Sequence, residues 1–268
     1  MLTGLSWLAL EVKDLDAARE FYTDLLELPV RTDRETGAAA SDSDPELEPD
    51  PKSKPKPEPE PEPELNSKSN AELESELAVA AGDTSLILRR PESVPRGGLH
   101  THYAFSIPAA EYDDWWTKLT DAGYELEEAQ FGPATSLYLY DPDGNCVELG
   151  QQDVAGPGID GIFEVVLEVE SLERARSFYT ALGFETADTG ENRTRVRLDG
   201  PVALELWESH LGIANARGGV HVDLGFETET PLAELEAVAD RVRQVDRKTD
   251  DEVVVRDPDG HVVTFVSP

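Results

Sequence analysis

The chain repeats part of its own sequence, and this repeat restricts the folds that it can adopt. Residues 10–22, Leu-Glu-Val-Lys-Asp-Leu-Asp-Ala-Ala-Arg-Glu-Phe-Tyr, return at residues 167–179 as Leu-Glu-Val-Glu-Ser-Leu-Glu-Arg-Ala-Arg-Ser-Phe-Tyr. The sequence Asp-Pro-Asp-Gly occurs at residues 141–144 and again at residues 257–260. Self-similarity at a long spacing is typical of a duplicated structural unit. We therefore predict an internal duplication, in which positions that differ between the copies show where chemistry is kept or lost.

The periodicity of the first part of the chain predicts a βαβββ module. Residues 5–12 alternate like a half-buried strand, and residues 14–26 have apolar side chains at helical spacing, with Asp14 or Asp16 as the N-cap. Three further short strands are predicted at residues 30–35, 76–81 and 84–89. The pattern recurs three times, with helices predicted at residues 110–122, 172–182 and 231–242. The predicted fold class is therefore α+β, with four βαβββ modules in tandem.

An acidic, proline-rich insertion interrupts the first module. Residues 37–70 contain an alternating Pro-Glu run at 57–64 and almost no large apolar side chain. Such a segment cannot offset the entropy cost of ordering, so we predict a solvated loop with partial polyproline II character. It could be a tolerated surface insertion, or a docking arm or flap over a pocket.

The net charge of −33, from 56 acidic and 23 basic residues, limits the partners that the chain can have. An acidic surface repels nucleic-acid backbones and anionic lipids, so neither nucleic acid nor membrane is an expected partner. Self-repulsion of this size is screened at molar salt, where the Debye length is about 3 Å. We predict a host with a salty cytoplasm, and the scarcity of lysine relative to arginine resembles halophilic proteins.

The remaining composition favours a cytoplasmic protein that folds without disulfides. Cys146 is the single cysteine, and no Cys/His cluster resembles a zinc module. The first residues lack the basic start and apolar middle of a signal peptide, and no apolar run reaches transmembrane length.

Two motifs give the chain a family resemblance. Residues 14–22 read Asp-Leu-x-x-Ala-x-x-Phe-Tyr, and residues 141–149 read Asp-Pro-Asp-Gly-x-x-x-Glu-Leu. Together with four similar modules, they resemble the vicinal oxygen chelate superfamily, which includes glyoxalase I, extradiol dioxygenases, fosfomycin-modifying enzymes and bleomycin-binding proteins. The resemblance implies two open-barrel halves of two modules each. These would be a front domain of residues 1–152 and a back domain of residues 158–268.

The resemblance also implies a metal site built from the first and last strands of each module. The first-strand positions are Trp7, His102, Glu164 and Asp223, and the last-strand positions are Ile87, Glu148, Glu205 and Thr264. His102 and Glu148 would hold a divalent metal in the front domain, and Fe, Mn, Ni or Zn would suit these donors. A third ligand could come from His100, Tyr138, Tyr140 or the substrate. The predicted catalytic residues are Tyr140 and Glu148, the latter as ligand or as proton-transfer base.

The back domain offers a second candidate metal site, composed of Glu164, Glu205 and either Asp223 or His221. This set could be a second site whose hard oxygen ligands favour Mn or Mg. It could instead be a degenerate copy of the first site that packs against the front half. Trp207 is interpreted as an ordinary packing residue.

Three functions fit the resemblance. The favoured one is a metal-dependent extradiol, ring-cleaving dioxygenase acting on catechol-type compounds. A lyase or isomerase similar to glyoxalase I is the first alternative. A metal-free binding protein, in which Trp7 lines an apolar cavity, is the second. In each case the expected partner is a small molecule, and the chain could also form a homodimer.

Overall fold

The computed structural model describes residues 1–31, 75–91, 98–190, 194–208 and 223–268. The predicted loop at residues 37–70, most of the predicted strand at 30–35, and His221 lie outside these residues. Within them, Val30 forms an isolated bridge with Val79.

Four modules of strands and helices follow one another along the chain. The first contains β1 (Gly4–Glu11), α1 (Leu15–Arg19), β2 (Glu76–Ala81) and β3 (Thr84–Arg89), and α1 continues as a π-helical segment, Glu20–Leu25. The second contains β4 (His100–Pro108), a 3-10 turn (Ala109–Glu111), α2 (Tyr112–Asp121), β5 (Glu127–Phe131), β6 (Ala134–Tyr140) and β7 (Cys146–Gln152). The third contains β8 (Gly161–Val169), α3 (Leu172–Ala181), β9 (Glu185–Thr189), β10 (Arg195–Asp199) and β11 (Ala203–Glu208). The fourth contains β12 (Asp223–Glu227), α4 (Pro231–Val238), β13 (Gln244–Lys248), β14 (Glu252–Arg256) and β15 (Val262–Val266).

The predicted α+β class with four modules in two open half-barrels is confirmed. Local signals place most elements well, and Asp14 rather than Asp16 caps α1, accepting hydrogen bonds from the backbone N–H of Asp16 and Ala17. The largest difference from the predicted helices concerns α4, which ends at Val238 instead of the predicted residue 242. After α2, Tyr124 packs its ring edge-on against Phe21, at a centroid distance of 5.5 Å.

The order of strands in the two sheets differs from the expected pairing of modules. One sheet has eight strands in the order β5-β6-β7-β4-β8-β11-β10-β9, and the other has seven in the order β13-β14-β15-β12-β1-β3-β2. The second module therefore shares a sheet with the third, and the first shares a sheet with the fourth. Each sheet therefore contains strands from both predicted domains, residues 1–152 and 158–268, because β4 pairs with β8 and β1 pairs with β12. The division of the chain into these two domains stays a prediction.

The repeated Phe-Tyr and Asp-Pro-Asp-Gly motifs contact each other between the sheets. Tyr22 donates its hydroxyl hydrogen bond to Asp141 Oδ2 at 2.8 Å, and Tyr179 donates to Asp257 Oδ2 at 3.0 Å. Both carboxylates also accept backbone N–H groups of their own turns. Burial raises the pKa of both aspartates, so these contacts offset the desolvation of a buried acid. The strongest sequence repeat thus marks the joint between consecutive modules.

Replacement of Tyr179 by phenylalanine should lower the free energy of unfolding by about 1–3 kcal/mol, because buried Asp257 loses a hydrogen-bond donor. Urea denaturation at constant high salt would measure the change. Tyr112→Phe is the matched control, since the Tyr112 hydroxyl bonds to Glu128 in an exposed position. The control substitution should lower the free energy of unfolding by about 0.5 kcal/mol or less. Equal losses in the two variants would contradict the structural role of the motif.

None of the helices in the described part of the chain has both the length and the apolar character needed to cross a membrane.

Candidate metal centre

Four adjacent strands of the eight-stranded sheet direct polar side chains to one face. Ala104 on β4 lies opposite both Glu148 on β7 and Glu164 on β8. Val166 on β8 lies opposite His102 on one side and Glu205 on the other. Directly paired residues and residues two apart share a face of a sheet. The register therefore brings an imidazole and three carboxylates together; they are His102, Glu148, Glu164 and Glu205.

The donor atoms of three of these side chains converge. His102 Nε2 is 3.1 Å from Glu148 Oε2 and 4.0 Å from Glu164 Oε1. One ligand atom from each of the three residues lies within 4.8 Å of the others, and all three residues are buried. Edge-to-face contacts with the rings of Tyr138 and Trp207, at centroid distances of 5.4 and 5.7 Å, fix the imidazole orientation. This donor set fits a borderline divalent ion, which would also offset the repulsion between buried carboxylates.

Glu205 completes the group but has its own partners. Trp207 Nε1 donates to Glu205 Oε2 at 2.7 Å, and Arg195 Nη1 donates to Glu205 Oε1 at 3.1 Å. Arg197 Nη1 contacts Glu164 Oε2 and lies 3.5 Å from Glu205 Oε1. Two of the three carboxylates are therefore neutralised in part by arginine.

Glu148 and Tyr138 have displaced pKa values. Burial works against ionisation of Glu148, but contact with His102 and the nearby hydroxyls of Ser136 and Tyr138 outweighs it, so the pKa of Glu148 is lowered. Burial, reinforced by the charge of Glu148, raises the pKa of Tyr138 far above its ordinary value. Glu148 is thus an anion at neutral pH, and the Tyr138 hydroxyl keeps its proton.

A cavity of about 550 Å³ opens over this face of the sheet. The described residues that line it belong to the second and third modules. The lining residues are His102, Phe131, Ala134, Ser136, Tyr138, Glu148, Gln151, Gln152, Phe163, Glu164, Gly190, Arg195, Arg197, Glu205 and Trp207. The volume suits a small molecule.

One comparison with known proteins decides the family. Residues 4–149, more than half of the chain, match the sequence profile described as the Glyoxalase/Bleomycin resistance protein/Dioxygenase superfamily. The chain belongs to this superfamily. The resemblance stated from the sequence motifs is thereby confirmed.

Solved structures show the same fold as the chain. A Bacillus subtilis protein described provisionally as a dioxygenase has 13% sequence identity and a TM-score of 0.65, over 99% of this chain and 85% of its own. Glyoxalase I from Zea mays has 17% identity and a TM-score of 0.62, over 98% of this chain and 92% of its own. A sequence search of curated proteins finds no match.

The superfamily resemblance implied two incomplete ligand sets, and the sheet order redistributes them. His102 and Glu148 lie together, as predicted from the sequence. Glu164 and Glu205, assigned to a second site, lie in the same cavity as this pair. Asp223 lies on β12 in the seven-stranded sheet, so the predicted second set is divided between two sheets. His221, its remaining member, lies outside the described residues.

Two of the other predicted site residues do not line the cavity. Tyr140, a predicted catalytic residue, lies at the end of β6 and is 37% exposed. The pairing of β4 with β8 shifts between His100 and His102, and His100 is buried outside the cavity lining. Tyr138 is the tyrosine of β6 that lies beside Glu148.

The seven-stranded sheet provides an internal comparison, because it has the same register at the four equivalent positions. Ala9 lies opposite Ile87 and Asp223, and Gly225 lies opposite Trp7 and Thr264. These four superfamily positions are occupied by Trp7, Ile87, Asp223 and Thr264. Thr264 Oγ1 donates to Asp223 Oδ1 at 3.2 Å, and Arg89 Nη1 is 3.6 Å from Asp223 Oδ2. In this sheet an imidazole and two carboxylates are replaced, and the remaining carboxylate is paired.

Sequence reasoning missed Arg195, Arg197 and the role of Trp207. The alternation Arg195-Val196-Arg197-Leu198 places both arginines on one face of β10, a pattern visible in the sequence. The sequence does not show that these arginines lie beside the carboxylates of the site. That follows from the pairing of Arg197 with Glu205 across β10 and β11. Trp207 is buried, as a packing residue would be, yet it lines the cavity and bonds to Glu205.

Proposed function

We propose that the chain is a metal-dependent lyase or isomerase of the glyoxalase type, with its centre in the cavity of the eight-stranded sheet. The observation that carries this proposal is the convergence of donor atoms from His102, Glu148 and Glu164 on three neighbouring strands. Glu205 on the fourth strand lines the same cavity. His102, Glu148 and Glu164 would hold the ion, with Glu205 on the neighbouring strand as a further candidate ligand, and Fe, Mn, Ni or Zn would suit these donors. Bound there, a divalent ion supplies Lewis-acid polarisation of a carbonyl or enolate oxygen of the substrate.

The residues of the chain supply the other requirements of such a reaction. Isomerisation next to a carbonyl requires that a proton leave one carbon and return to the neighbouring one. Glu148 is the carboxylate best placed to carry it, because it is ionised and, unlike Glu164 and Glu205, has no arginine contact among the described residues. Protonated Tyr138 can donate a hydrogen bond beside it.

The donor set gives less support to the ring-cleaving activity. Non-haem Fe(II) oxygenases typically use two histidines and one carboxylate and leave positions open for oxygen and substrate. Among the described residues, a single histidine converges with two carboxylates here, and Glu205 lines the same cavity, so the donors differ from that set. Extradiol cleavage therefore remains a prediction from the sequence resemblance, second to the lyase.

The experiment begins with elemental analysis of protein purified in high salt after growth with all four metals. About one equivalent of metal is expected, and its absence would favour the metal-free binding protein. The loaded protein is then assayed for isomerisation of a hemithioacetal and for oxygen uptake with a panel of catechols. Hemithioacetal turnover without oxygen uptake is the expected result. Oxygen uptake with a catechol would overturn the lyase proposal in favour of ring cleavage.

We further propose that the acidic surface is an adaptation to high-salt surroundings, as its composition indicated. The free energy of unfolding should rise as KCl is increased from about 0.1 M to about 1 M, since the Debye length falls from about 10 Å to about 3 Å. Thermal unfolding at several KCl concentrations would measure this. A melting temperature independent of salt would contradict the proposal.

A further inference from the structure

Two arginines in the cavity stand out against the acidity of the chain. The chain has 56 acidic and only 23 basic residues, yet β10 directs both Arg195 and Arg197 into the cavity. Their side chains are 22% and 31% exposed, so both are accessible from the cavity without lying on an open surface. A strongly desolvated guanidinium interacts with an anion more strongly than one in bulk water.

Their hydrogen bonds leave donors available. A guanidinium has five N–H donors in a planar fork. In the described part of the chain, the contacts of Arg197 with Glu164 and Glu205 all involve Nη1. Arg195 uses Nη1 for Glu205 and Nη2 for Asp188, at 3.1 and 2.7 Å. Within the described residues, the Nε and Nη2 donors of Arg197 are thus available to another acceptor. Arg195, by contrast, is positioned by carboxylates at both of its Nη atoms.

The arginines also determine the sign of the charge in the cavity. Among the described residues, its lining contains three carboxylates and two guanidiniums, which together have one net negative charge. With a divalent ion bound by the carboxylates, these lining residues have one net positive charge, part of which Asp188 offsets through its pairing with Arg195 at 2.7 Å. Without the arginines, the same loaded centre would remain negative and repel an anion. The arginines are therefore the feature that makes an anionic ligand acceptable here.

We propose that Arg197, positioned next to Arg195, forms an oxyanion subsite, so that the substrate carries a carboxylate close to its metal-binding oxygens. Planar guanidinium forks bind such groups in a bidentate manner. Phe131 and Phe163, which line the same cavity, would pack against an apolar remainder of the molecule. The proposal rests on the proposed function, because it places the subsite beside the metal centre.

The test compares two chelating probes that differ in one charge. These are 3,4-dihydroxybenzoate and its methyl ester, and binding to metal-loaded protein is measured by isothermal titration calorimetry. Wild-type protein should bind the free acid at least about tenfold more tightly than the ester, as expected for a charged hydrogen-bonded pair. In Arg197→Gln this ratio should fall to about one, and Arg197→Lys, which keeps the charge but loses the fork, should give an intermediate ratio.

Arg256→Gln is the matched control. Arg256 lies on β14 of the other sheet and pairs with Asp246 on the neighbouring strand at 2.8 Å, as Arg195 on β10 pairs with Asp188 on β9. This variant should keep the wild-type preference for the free acid over the ester.

Metal content is measured for every variant. A preference that survives in both Arg197 variants with metal still bound would overturn the oxyanion subsite alone. Wild-type protein that binds no metal would overturn the proposed function and this inference together.

Discussion

Replacement of His102 by alanine should weaken binding of the transition metal by at least about 100-fold. His102 is the one imidazole of the centre, and its Nε2 lies within reach of two carboxylates. Loss of a residue that merely supports a ligand commonly costs about 10- to 100-fold in metal affinity, so loss of a ligand should cost more. Elemental analysis and titration of the stripped protein with Mn or Zn would measure the change. His102→Gln, which keeps most of the side-chain volume, separates loss of the ligand from loss of packing against Tyr138 and Trp207.

The duplicated fold offers an unusually close control for this result. Asp223 occupies the register position in the seven-stranded sheet that Glu164 occupies in the eight-stranded sheet. Asp223→Asn should leave the metal content unchanged, whereas Glu164→Gln should reduce it. Unchanged metal content in the His102 and Glu164 variants, with the fold intact by circular dichroism, would exclude the centre described here. Loss of metal in Asp223→Asn would instead indicate that the second sheet holds an ion.

Substitution of Gly225 by alanine should lower the free energy of unfolding by about 3 kcal/mol, which is the upper part of the usual range for overpacking. A Cβ atom at Gly225 would lie 2.1 Å from Cδ2 and Cε2 of the Trp7 ring. These atoms belong to the rigid centre of the indole, so the whole side chain would have to move. Urea denaturation in high salt gives the free energy.

Gly161→Ala is the control for this substitution, because a Cβ there would meet nothing closer than 3.7 Å. It should be neutral, or stabilising by about 0.4–1 kcal/mol through the unfolded state. The double variant Trp7→His/Gly225→Ala should recover at least about 1 kcal/mol relative to Gly225→Ala, since the smaller ring no longer meets the added methyl group. Additive losses would show that Trp7 and Gly225 are not a packed pair. The expected coupling between Trp7 and Gly225 would show that the glycine leaves the space for an indole in the seven-stranded sheet, at the position where the eight-stranded sheet has the imidazole of His102.

The sequence by itself determined the local structure and the family. Strand and helix periodicity and the two copies of the repeat can be read from the sequence without the fold. The structure was needed to choose Asp14 over Asp16 as the cap of α1. His102 and Glu148 were selected by applying to one module the ligand positions that the superfamily resemblance implies.

Only the tertiary structure decided which modules share a sheet. Strand pairing joins residues far apart in sequence, and several pairings of four similar modules satisfy the same local patterns. The choice matters because it places Glu164 and Glu205 beside His102 and Glu148, where two incomplete ligand sets had been expected. It also brings Arg197 into the same cavity. A repeat defines the units of this protein, whereas the hydrogen bonds between β4 and β8 determine what those units can bind.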